Sequence, residues 1–168
     1  MNTTLRILVA TVSSLALAAP LAANPRIIFT TATTNGTTLA AGDLNGPVRA
    51  TGGLTQLRLD SGAIVSFVGD AEFEVDGAGR LIVTSGTFTA GVGGTPLTIV
   101  TPGGGVVTMP ALGSVASLQV TSTGQLSGFA MMGSLTITSG GSTRSFPSAS
   151  AFSASARVVR NAPNAAWR

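Results

Sequence analysis

The sequence has no cysteine, histidine, lysine or tyrosine. Each absence closes a class of chemistry. Without His or Cys there is no Ser-His-Asp or Cys-His nucleophile system, no disulfide and no structural zinc site. Without Lys there is no Schiff base and no phosphate-loop lysine. The missing Tyr removes another common acid. Carboxylates, arginines and Ser/Thr hydroxyls without a strong base remain, and that inventory predicts a non-enzymatic chain with no cofactor and no metal.

Charge is scarce as well. Only 9% of the 168 residues are charged, as nine Arg against six acids, for a formal net charge of +3. That balance is too small and too scattered to displace counterions from a phosphate backbone, so nucleic acid is not an expected partner. The acids all lie between Asp43 and Asp76, and the 63 residues from Leu81 to Thr143 carry no charge at all. What the chain has instead is apolar content, 44%, and 22 glycines, a composition that predicts a packed core.

Residues 1–23 read as a secretory signal peptide. Arg6 supplies the positive start, and Ile7 to Ala19 give an uncharged stretch of 13 residues, short of the ~20 that span a bilayer. Ala16-Leu17-Ala18 has the small-x-small form, and cleavage after Ala23 is the preferred alternative, because Pro20 crowds the earlier site. The expectation is an exported protein, periplasmic or at the cell surface, with no spanning segment in its mature part.

From Asn24 onward, short apolar-alternating runs are broken by Gly, Asn, Asp or Pro every 8–12 residues. This predicts an all-β single domain of many short strands, a β-sandwich or a flattened β-solenoid. Runs such as Leu57–Leu59, Ile64–Val68, Ala71–Val75, Leu81–Val83, Leu97–Val100, Val115–Val120 and Leu135–Thr138 are its strands. In Asp70-Ala71-Glu72-Phe73-Glu74-Val75-Asp76 the two-residue period turns Ala71, Phe73 and Val75 to one side. Asp70, Glu72, Glu74 and Asp76 fall on the other, ~6.5–7 Å apart, with Arg58 or Arg80 as cross-strand counter-charges. Such a stripe is a candidate interaction surface. It lacks the converging ligands of a calcium loop. Nor are its acids opposed across a cleft ~5–9.5 Å wide, as glycosidase carboxylates are. A second candidate is the tail from 155 to 168, where Arg157, Arg160 and the single Trp167 form a candidate anchor.

Taken in order, these runs resemble the FecR-like domain of bacterial envelope proteins. The likeness covers roughly residues 44–154, with residues 24–43 as a strand region before it. It is carried by Leu57-Arg58-Leu59-Asp60-Ser61-Gly62-Ala63-Ile64-Val65, by Leu81-Ile82-Val83-Thr84-Ser85-Gly86-Thr87-Phe88 and by Leu97-Thr98-Ile99-Val100-Thr101-Pro102-Gly103-Gly104. Leu112-Gly113-Ser114-Val115, Gln125-Leu126-Ser127-Gly128-Phe129 and Ser134 to Thr138 continue it. The resemblance implies a β-rich envelope module acting through protein contacts, with Gly62, Gly86, Gly103 and Gly113 as turn formers and no catalytic residues. The family's signalling role needs a membrane segment and a cytoplasmic domain, neither of which is read here. The function expected is therefore an exported interaction or ligand-binding module whose partner is another envelope protein or cell-surface component. The alternative is a self-associating structural, matrix or adhesion subunit, a homo-oligomer built through the uncharged 81–143 half.

Overall fold

The computed structural model describes residues 24–110, 112–155 and 158–161. The signal peptide assigned to 1–23 lies outside these, as do Arg157 and Trp167. Alternation of apolar and polar residues shapes the described chain into strands throughout. They are β1 (Arg26–Thr30), β2 (Thr33–Thr34), β3 (Thr37–Thr38), β4 (Gly42–Asp43), β5 (Val48–Ala50), β6 (Leu54–Arg58), β7 (Ile64–Val75) and β8 (Leu81–Gly91). β9 (Leu97–Thr101), β10 (Gly105–Met109), β11 (Val115–Val120), β12 (Leu126–Met132) and β13 (Ser134–Ser139) follow. β14 (Ser142–Pro147), β15 (Ser150–Ser155) and β16 (Val158–Asn161) complete the series. No helix is present among the described residues, so the all-β expectation holds.

Fourteen strands belong to one sheet, which forks at the β7–β8 hairpin, while β2 and β3 pair separately. The first half of β7 pairs with β6, and Ala71 to Phe73 of its second half pair with β5. Gly86 to Gly91 of β8 pair with β11, whereas Leu81 and Ile82 pair in parallel with β9. Two layers result. The first runs β4-β1-β6-β7-β8-β11-β12-β15-β16, and the second β5-β7-β8-β9-β10-β13-β14. They meet face to face. Phe146 of β14 lies 5.2 Å, centroid to centroid, from Phe152 of β15, and the Arg144 guanidinium donates to the Val159 carbonyl at 3.3 Å. Apart from β8–β9 the pairings are antiparallel, so the molecule is a sandwich made from one folded sheet and not a stack of parallel coils.

The fold-over is visible in β7 itself. Phe67 and Phe73 are six residues apart, about 20 Å along a straight strand, yet their rings stack with centroids at 4.4 Å. The chain therefore bends sharply between them. The register slips between Val68 and Phe73, and Gly69 sits at φ +79°. On the partner strand Gly86, at φ +142°, faces this corner, where a Cβ would lie 3.0 Å from that of Ala71. The sequence pattern separates the run Ile64–Val68 from the strand that starts at Asp70 and breaks again at Ser85-Gly86, and the resemblance puts Gly86 in a turn. Both strands in fact continue through, because a bulge and a glycine let a ladder turn a corner without ending. Gly62, Gly103 and Gly113 take positive φ outside the strands, as turn formers do.

One core fills the sandwich. Phe67, Phe73, Phe88, Phe146 and Phe152 are fully buried with Leu57, Leu81, Leu97, Ile99, Leu118 and Leu135. Ile27 and Ala32 of the 24–43 region join the same cluster, and β1 hydrogen-bonds to β6. That region is thus part of the domain's core and not an appendage.

Candidate functional site

The acidic stripe lies where the bend carries β7 into the second layer. Ala71 and Phe73 are buried and Val75 packs against the core, which leaves Asp70, Glu72 and Glu74 on the outer face. The bulge ties Asp70 into the local backbone, its Oδ1 accepting the Gly52 amide at 2.8 Å. Glu72 pairs with Arg49, 3.0 Å away and directly opposite on β5. Asp76 closes the β7–β8 turn, accepting the amides of Ala78 and Arg80 and pairing with the Arg80 guanidinium at 2.7 Å. Those Arg80 bonds hold its carboxyl below the ordinary 3.8. Arg80 is the counter-charge the sequence suggests. Arg58 is not: it sits on β6, which pairs with the other half of β7, and its neighbours in register are Ile64 and Arg26. Arg49 takes its place. Of the four acids, Asp70 and Glu74 make no ion pair among the described residues. A depression of about 380 Å³ beside the stripe is lined by Arg49, Asp70, Glu72, Ser85 and Ser122. Within it Arg49 pairs with Glu72, and Asp70 is engaged by the Gly52 amide.

A second feature emerges only from the registers. Side chains directly opposite across paired strands project from the same side of the sheet. One row on the outside of the first layer reads Phe29, Gln56, Ser66, Thr89, Ser117, Phe129, Ala151. The adjacent row reads Leu54, Val68, Thr87, Gln119, Ser127, Ser153, Arg160. These two rows cross eight strands and contain no carboxylate. Their charge is Arg160, at one end. Val68 is 61% exposed and Phe29 48%, and Met131 and Met132, which bulge beside Val115, are 50% and 59% exposed. Large apolar side chains held in water on a sheet face mark a contact surface. The sequence carried a signal for Val68, since it occupies the polar phase of β7 with Ser66. Nothing local announced that Phe29 and Phe129, a hundred residues apart, share a row.

The outside of the second layer differs. Thr98, Thr108, Thr136 and Ser145 line up across four strands, next to Val100, Val106, Thr138 and Thr143. Thr136 and Ser145 share a hydrogen bond of 3.1 Å, and Thr138 and Thr143 one of 3.0 Å. The uncharged 81–143 stretch thus contributes to both outer faces and does not form a separate half.

Arg160, singled out in the tail, belongs to β16 and is exposed. It lines a groove of about 520 Å³ together with Gln119, Gln125, Ser127, Ser153 and Asn161. Arg160 and the acidic stripe of β7 line different depressions, which flank the Thr121–Ser122 turn from either side. No protein-family model, curated protein or solved structure matches the chain significantly.

Proposed function

We propose that the chain is an exported, FecR-like interaction module of a bacterial envelope, without catalytic activity, that binds another envelope protein through the outer face of its first layer. The observation that carries this reading is the pair of carboxylate-free rows, with Phe29, Val68, Met131 and Met132 held in water on or beside them. Desolvating such a face costs little, because hydroxyls and amides satisfy themselves across an interface while apolar side chains gain from burial. The resemblance in turn order and the signal-like start supply the module type and the compartment. The acidic stripe contributes less to binding, since Glu72 and Asp76 are neutralised within the chain.

The test is a photo-crosslinking amino acid placed in living cells at Val68, at Phe129, or at Thr138 on the opposite layer. Adducts of one discrete mass from the first two positions, and none from Thr138, are the expected result. Absence of any adduct at Val68 and Phe129 would falsify the proposal. The in-register threonine rows of the second layer favour a second reading, a subunit that self-associates through that face.

A further inference from the structure

The groove at the end of the first layer is concave, with polar side chains around it and Leu126 and Ala154 in its floor. Gln119, Ser127, Ser153 and Arg160 are in register on β11, β12, β15 and β16, so they form one straight line of polar groups. Three strand spacings make that line about 14 Å long. Gln125 and Asn161 add two further amides beside it.

The scaffold under these groups is stiff. Gln125 ends a turn in which Thr121 and Gln125 exchange backbone and side-chain hydrogen bonds, the Thr121 amide donating to the Gln125 carbonyl at 2.9 Å. The Gln125 amide in return donates to the Thr121 hydroxyl at 3.1 Å. Leu126 and Ala154 beneath the groove are buried in the core. The polar groups therefore sit on fixed backbone, which limits the entropy lost when a ligand is bound.

The chemistry of the lining is selective. Amides and hydroxyls each donate and accept, and a row of them matches a ligand with many hydroxyls. One guanidinium, with no carboxylate in the lining, matches a single oxyanion through a two-pronged contact. A peptide would need apolar pockets, and a nucleic acid would need several cations along its path. The volume, about 520 Å³, is in the range of small-molecule sites.

We propose that this groove binds an acidic saccharide, with the sugar hydroxyls on Gln119, Gln125, Ser127, Ser153 and Asn161 and the oxyanion on Arg160. A uronate carboxylate is the expected source of the anion, because one Arg balances one negative charge. This groove lies at one end of the protein-binding face and shares Gln119, Ser127, Ser153 and Arg160 with its rows. Saccharide binding is read directly by titration, so it can fail or hold without the crosslinking result. The experiment is an amide NMR titration of the purified chain with a galacturonic acid trisaccharide, its neutral galactose counterpart and a hexose phosphate. Saturable shifts at Gln119, Ser127, Ser153 and Arg160 with the uronate are expected. Arg160→Gln should weaken that binding about ten-fold or more, and Arg160→Lys by less. Because Arg160 is exposed, both variants should keep the wild-type spectrum elsewhere. Tighter binding of the hexose phosphate would assign the oxyanion to phosphate and keep the site. Equal binding of the neutral sugar, or no shifts in the groove with any of the three, overturns the proposal.

Discussion

Asp76 shows how a charge that looks available in a sequence is committed in a structure. Its carboxylate accepts two backbone amides and the Arg80 guanidinium, and these bonds favour the ionised form. A folded-state value below 3.8 means that the stabilising contribution is present at higher pH and is lost as pH falls through that folded value. A carboxyl-detected NMR titration should place its midpoint below 3.8. In Arg80→Gln the midpoint should rise toward 3.8, and an unchanged midpoint would show that the arginine is not the cause. Glu72 is likewise committed, to Arg49. Its pair with Arg49 is exposed, and such pairs contribute ~1 kcal/mol or less.

At the scale of elements, the corner in the β7–β8 hairpin decides the architecture. Each strand serves both layers, so the two sheets are joined by continuous backbone and not by loops. The corner needs a residue without a side chain at position 86, where φ is +142° and Ala71 and Phe67 press close. Gly86→Ala should therefore destabilise the fold by about 1–3 kcal/mol, from backbone strain and overpacking together. Urea unfolding would measure it. The double variant with Ala71→Gly should recover part of the loss, because only the contact term is relieved. If Gly86→Ala unfolds at the wild-type denaturant concentration, the corner is less constrained than its geometry indicates. Legibility was uneven here. The alternation in β9, β11 and β13 announced those strands directly. β7 and β8 each looked like two strands, because a bulge and a turn use the same residue, glycine, for the same freedom at φ > 0, here at Gly69 and Gly86.

For the whole molecule, the main question is how a chain with so little charge keeps its faces from pairing at random. Nothing covalent holds the core, since there is no cysteine, so burial of five phenylalanines and the aliphatic residues around them carries the stability. Every large β-rich surface is then a liability as well as a binding site. The end strands are guarded locally: β14 contains Arg144 and Pro147, and Arg144 ties β14 to β16 across the gap between layers. With β14 and β16 tied in this way and the first-layer face, on the function proposed above, taken up by a different protein, the purified chain should sediment as a monomer across a wide concentration series. A dimer that grows with concentration would transfer support to self-association through the second layer.

The sequence by itself determined the class of the molecule. Its period of two, its punctuation by glycine and its missing residue types were enough to require strands, a disulfide-free core and a restricted chemistry, because these depend on local geometry and side-chain identity. It also placed Ala71 and Phe73 inward and the acids outward. Only the tertiary structure decided which residues stand together. The choice of Arg49 over Arg58 for Glu72, the rows joining Phe29 to Phe129, and the line from Gln119 to Arg160 all follow from strand register. Register is settled by how distant segments bury one common core, and no window of neighbouring residues contains that information.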